Sequence, residues 1–184
     1  IRAWTHLDRR LALGQAERLD EQRRSGHPIG PLHGLPVAIK DIIDTQDMPT
    51  ENGCALDAGR RPEEDAWLVA RLRAAGAVIL GKTVTTECAY LAPGKTRNPQ
   101  NPEHTPGGSS SGSAAAVASH MVPLAIGTQT GGSVIRPASF CGVVGFKPSF
   151  GMIPRSRVLR TSRSLDQFAV FGRTIEDTPL LAAV

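Results

Sequence analysis

The sequence predicts an α/β fold, a largely buried β-sheet flanked by helices. Two observations carry that prediction. Three apolar runs of strand length, "LPVAIKD" (35–41), "AVILGKT" (77–83) and "VPLAIGT" (122–128), read as short buried strands. Two of them follow directly on helical sequence, and helix followed by apolar strand is the rhythm of layered α/β proteins.

Taken in order, residues 3–24 carry Trp4, Leu7, Leu11 and Leu19 at helical spacing among many charges, which predicts an amphipathic helix. "GHPIGPLHGLP" then punctuates the chain with Pro and Gly. The strand at 35–41 contains a lysine, Lys40, at its end. "RPEEDAWLVARLRAAG" (61–76) reads as the clearest helix: acids in the first turn, an apolar stripe Trp67–Leu68–Leu72, basic residues later and Gly76 as its stop. A third helix is predicted over Ser111–His120, ahead of the strand at 122–128. No internal period indicates repeats.

Composition removes several functional classes. With 184 residues the chain is sized for one domain with a genuine core. The net charge of +4 would permit nucleic-acid binding, but the basic residues are scattered and one Tyr, two Trp and five Phe offer no basic–aromatic face. Cys54, Cys88 and Cys141 are odd in number and widely spaced, so neither a disulfide framework nor a zinc pattern follows, and a reducing, cytoplasmic setting is expected. His6, His27, His33, His104 and His120 form no ligand-spaced pair, so no metal is expected. No stretch approaches a membrane span or a signal-peptide core. The start at Ile1 inside helical sequence and the end in "EDTPLLAAV" give the expectation that both ends are cut.

Chemistry concentrates in two Gly/Ser clusters, "GGSSSGS" (107–113) and "TQTGGSVIRPASFCG" (128–142). In the second, the glycines let consecutive backbone N–H groups point one way. Such a nest stabilises an oxyanion, with Ser133 at its end as attacking hydroxyl. A serine needs a base. None of the histidines sits in a comparable loop or strand end, whereas a buried Lys40 would lose its charge and accept a proton. Each signal alone has a plainer reading: "GGS" is usually a turn, "GGSSSGS" a linker or phosphate-binding turn, and a strand-end lysine a solvated edge charge. The first cluster lacks the lysine of a P-loop. Cys141 raises a cysteine hydrolase, yet no activating Glu/Lys pair lies near it, and small-residue packing is the preferred account.

In sequence order, "GLPVAIKD", "GAVILGKT", "PGGSSSGSAAAVA" and "GTQTGGSVIRPASFCGVVGFKPSFG" together closely resemble the amidase signature family, over about residues 3–178. The resemblance implies a mixed sheet flanked by helices. It also implies a single domain over 1–184 that is the N-terminal portion of a longer one, and a Ser–cis-Ser–Lys triad that uses no cofactor. On that likeness Lys40 is the base, Ser109 the bridging serine after a cis peptide from Gly108, and Ser133 the nucleophile. The N–H groups of Thr130, Gly131, Gly132 and Ser133 form the oxyanion hole. Ser110 and Ser111 are hydrogen-bonding support at a helix start. Lys82, Glu87 and Lys147 are structural ion pairs and caps.

Two departures bear on substrate. "GGSVIRP" places Arg136 three residues after Ser133, and "TQTGG" replaces the commoner "TDTGG". Both look like malonamidase-type members acting on small acidic amides. Arg136 then either clamps a substrate carboxylate or satisfies loop carbonyls. "SLDQFAVFGRT" lacks the Gly-Pro many relatives carry after "DQ", a departure from the tRNA-linked amidotransferase subunits. The expected activity is hydrolysis of a small amide to acid and ammonia, with a homodimer as an oligomeric option and neither nucleic acid nor membrane as partner. The alternatives are a subunit of amidotransferase or glutaminase type within a multi-chain complex, and a truncated, non-catalytic interaction module.

Overall fold

The computed structural model describes residues 1–182. The expectation that the chain stops mid-pattern at "EDTPLLAAV" falls partly on 183–184, outside the described residues. Six strands form one sheet: β1 (Trp4–Leu7), β2 (Pro36–Lys40), β3 (Val78–Thr83), β4 (Leu124–Gln129), β5 (Val144–Phe146) and β6 (Gln167–Gly172), in the order β1-β3-β2-β4-β6-β5. β2 runs parallel to both β3 and β4, while the β1–β3, β4–β6 and β5–β6 pairs are antiparallel. The sheet is therefore mixed, as expected.

Five helices complete the fold: α1 (Arg9–Arg24), α2 (Trp67–Ala74), α3 (Ser111–Ala118), α4 (Ile135–Cys141) and α5 (Thr178–Ala182). Side chains on successive strand residues point to opposite faces, and the two faces differ in kind. Ile39, Ile79, Ile126, Phe168 and Val170 face one core with Leu68, Val69 and Leu72 of α2. Ala38, Ala125 and Ala169 face the other, with Ala114–Val117 of α3. Small residues on both surfaces let α3 lie close to the strands. Each large side chain of the first core contributes roughly 1.5–3 kcal/mol over its exposed state.

Two sequence expectations need correction. Residues 4–7 are a strand: Trp4 lies opposite Thr83 and Leu7 opposite Gly81. Asp8 then accepts from the Leu11 N–H at 3.0 Å and starts the helix only at Arg9. Tertiary pairing at the sheet edge thus overrides a helical spacing that continues on both sides of Asp8. The second helix is also shorter than 61–76. Its acids lie ahead of it, because Asp65 is committed to the Gln46 N–H at 2.9 Å and to the Arg73 guanidinium at 2.9 Å. β3 keeps its outer edge satisfied beyond β1 through Gln15, whose carboxamide accepts from the Ile79 N–H and donates to the Ile79 carbonyl, each at 3.1 Å.

Candidate functional site

β2 delivers Lys40 to the parallel-strand end where β4 and the segment before α3 converge. The Lys40 side chain is fully buried. Its Nζ donates to Ser109 Oγ at 2.6 Å and to Thr128 Oγ1 at 2.9 Å. Burial pushes the ammonium down to about 7, only partly countered by the negative charge of Asp166. The lysine is thus held among neutral hydroxyls, where a free amine is stable near neutral pH.

Ser109 follows Gly108, and the peptide between them is cis. Its carbonyl accepts from the Thr86 N–H at 3.1 Å. The serines behind it are all spent on packing. Ser110 Oγ donates to the Thr128 carbonyl at 3.1 Å, Ser111 Oγ to the Val84 carbonyl at 3.3 Å, and Ser113 Oγ to the Ile126 carbonyl at 3.0 Å. Ser110 occupies the N-cap position of α3, but its hydroxyl braces β4 and makes no cap bond. Gly112 lies so close to Ala3 and Val84 that a Cβ would collide with their backbones. The Gly/Ser stretch is therefore a rigid joint in a dry interior.

The second cluster forms the turn between β4 and α4. Gln129 Oε1 accepts from the Val134 N–H at 2.9 Å and the Ile135 N–H at 3.0 Å, closing residues 130–133 into a loop at the helix start. Among the described residues the N–H groups of Gly131, Gly132 and Ser133 make no hydrogen bond. The Ser133 carbonyl accepts from the Ser110 N–H at 3.2 Å, which brings the two clusters together. The Ser133 hydroxyl is half-buried and makes no hydrogen bond to Ser109. Contacts between catalytic groups commonly tighten only around a substrate.

Asp166, just ahead of β6, is a site residue that sequence reasoning missed. Its carboxylate accepts from Thr130 Oγ1 at 2.6 Å, Thr161 Oγ1 at 2.7 Å, the Thr161 N–H at 2.8 Å and the Ser162 N–H at 2.9 Å. Desolvation would raise its pKa, but these donors outweigh it and hold it below the usual carboxylate range. "SLDQ" contained the signal, an acid immediately before an apolar strand. Ser109, Thr128, Thr130, Asp166, Ile42 and Phe168 line a cavity of about 390 Å³, with Ala89, Arg155 and Arg160 also on its wall.

Arg136 points elsewhere. Its guanidinium donates to the Gly108 carbonyl at 3.3 Å and lines a neighbouring cleft with Thr86, Gly107 and Phe140. It does satisfy a loop carbonyl, one of the two expected roles. Cys141 is buried and its thiol is pushed up to about 12 by desolvation, in keeping with the packing account. Lys82 is fully buried 3.2 Å from Asp41 Oδ1, the expected structural ion pair, and also donates to Thr50 Oγ1 and the Pro49 carbonyl. Lys147 donates to the Pro148 carbonyl at 2.7 Å. Glu87 departs from expectation: its carboxylate makes no ion pair among the described residues. No group of three or more potential metal ligands occurs among the described residues, and no helix is long and apolar enough to cross a membrane.

A buried lysine on a serine, beside a glycine turn with free N–H groups and on a mixed α/β sheet, defines a class of protein built like the lysine–serine acyl-transfer enzymes. The chain belongs to the amidase family, whose family model matches residues 1–184. It is 45% identical over 186 residues to the amidase-type component of the glutamyl-tRNA(Gln) amidotransferase of Rhodopirellula baltica, covering 98% of this chain and 37% of the relative. The native peptide amidase of Stenotrophomonas maltophilia superposes with a TM-score of 0.93 at 40% identity, over 98% of this chain and 39% of that one. The corresponding glutamyl-tRNA(Gln) amidotransferase component of Thermotoga maritima gives 0.81 at 40% identity, over 86% and 36%. The chain thus spans about two fifths of the length of the curated relatives it matches.

Proposed function

We propose that this chain carries the reacting groups of an amidase that converts a small linear amide to its acid and ammonia. One observation supports it above the others: the fully buried Lys40 is hydrogen-bonded to Ser109 at 2.6 Å with its pKa lowered to about 7. In this reading neutral Lys40 takes the Ser109 proton as Ser109 takes the Ser133 proton, and Ser133 Oγ attacks the amide carbon. The N–H groups of Thr130, Gly131, Gly132 and Ser133 meet the oxyanion. The relay then runs backwards, ammonia leaves, and water cleaves the acyl-Ser133 ester by the same route. No cofactor enters any step. Arg136 uses one N–H on Gly108 and keeps further donors for a substrate carboxylate in the adjoining cleft.

The experiment is ammonia release by the full-length protein and its Ser133→Ala variant. The expected result is loss of turnover with the fold intact, and full activity in the variant overturns the reading. The 45% identity to an amidotransferase component favours a second reading, in which the released ammonia passes to an activated acceptor in a multi-chain complex. Release that occurs only when partner chains and acceptor are added selects it.

A further inference from the structure

The fold brings together two cysteines that the sequence places 34 positions apart. Cys54 ends an extended stretch just before a short 3-10 turn (Ala55–Asp57), and Cys88 lies inside another (Glu87–Ala89) with φ 47°. The two segments run against each other. The Cys88 N–H donates to the Asn52 carbonyl at 2.9 Å, and at Gly53 (φ 62°) a Cβ would press on Thr85 and Thr86. The thiols themselves are in hydrogen-bond contact. Cys88 is exposed and Cys54 half-buried, so small reagents reach them, whereas Cys141 is buried beside the Pro106 carbonyl.

We propose that Cys54 and Cys88 are a disulfide-forming modification site, a dithiol that peroxide or a small-molecule disulfide oxidises to an intramolecular cystine. With peroxide, the Cys88 sulfur attacks one oxygen, the O–O bond breaks, and a sulfenic acid and one water form. The Cys54 sulfur then displaces that oxygen as a second water, and the S–S bond closes. The two sulfurs together lose two electrons to the peroxide. With a small disulfide, Cys88 first forms a mixed disulfide that Cys54 resolves, releasing two thiols. Desolvation, the Cys54 contact and the charges of Glu87 and Asp57 all push the Cys88 thiol up, so the reaction accelerates as pH rises above neutrality. The bridge would tie residues 52–54 to the segment that donates to the Ser109 carbonyl through Thr86 and lines the cavity through Ala89.

The test treats the full-length protein with hydrogen peroxide, and separately with oxidised glutathione, and maps tryptic peptides without reduction. The expected product joins peptide 41–60 to peptide 83–95 within one molecule, lighter by two hydrogens and restored by dithiothreitol, while Cys141 stays open to alkylation after denaturation. Cys54→Ser should leave Cys88 as a sulfenic acid or a glutathione adduct, with no joined peptide. A wild-type protein in which Cys88 is over-oxidised while Cys54 remains alkylatable overturns the proposal. So does a bridge only between molecules, or no reaction at either thiol.

Discussion

Lys40 offers the most quantitative test. Burial lowers its pKa from 10.5 to about 7, with two neutral hydroxyls as partners and the Asp166 charge raising it in part. If the neutral amine is the base, kcat/KM of the full-length protein rises about tenfold per pH unit below 7 and levels off above it. From pH 6 to pH 8 the neutral fraction grows from ~10% to ~90%. The same shift has a stability consequence. The folded pKa lies below the unfolded one, so the unfolded chain binds more protons between about 7 and 10.5, and stability rises with pH through that window. Below pH 7 the buried proton costs the fold about 5 kcal/mol. Lys40→Met should therefore abolish ammonia release, yet unfold at higher urea than the wild type at pH 6. That advantage should shrink towards pH 10. The assays are an ammonia-release pH profile and urea titrations at both pH values. A rate independent of pH between 5.5 and 9, or a Lys40→Met stability difference equal at pH 6 and pH 10, refutes the reasoning.

Three further outcomes rest on single contacts. Gln129→Ala removes the acceptor for the Val134 and Ile135 N–H groups. It should cost about 1–2 kcal/mol in urea titrations and lower kcat more than it raises KM. Gly112→Ala places a methyl against the Ala3 and Val84 backbones and should destabilise by roughly 1–3 kcal/mol or prevent folding, read by thermal melts. Lys82→Met leaves Asp41 buried beside Thr50 without its cation, and a loss of about 3–5 kcal/mol is expected; Asp41→Asn combined with it should recover part of that loss.

Much of the site is legible in the chain itself. The strands at 35–41, 77–83 and 122–128 and the helix from Ser111 stand where their apolar patterns place them, and Lys40 does meet Ser109. Other features were hidden for physical reasons. Residues 4–7 continue the spacing of α1, and only the pairing with β3 makes them a strand. β5 and β6 carry too few residues with a period of their own to stand out, and they are defined by the ladder they share with β4. Asp166 looked like an ordinary loop acid because its four donors come from residues 130, 161 and 162.

The sequence by itself determined the class of fold, the family and the residue types at the candidate site, since these rest on local periodicity and on two unusual Gly/Ser motifs. Only the tertiary structure decided that Lys40 is dry enough for its pKa to fall to about 7, that Arg136 turns to the Gly108 carbonyl, and that Cys54 touches Cys88. Burial, charge proximity and thiol contact are properties of the space between elements. A chain specifies that space only through the sum of its long-range packing, and no short window of residues contains it.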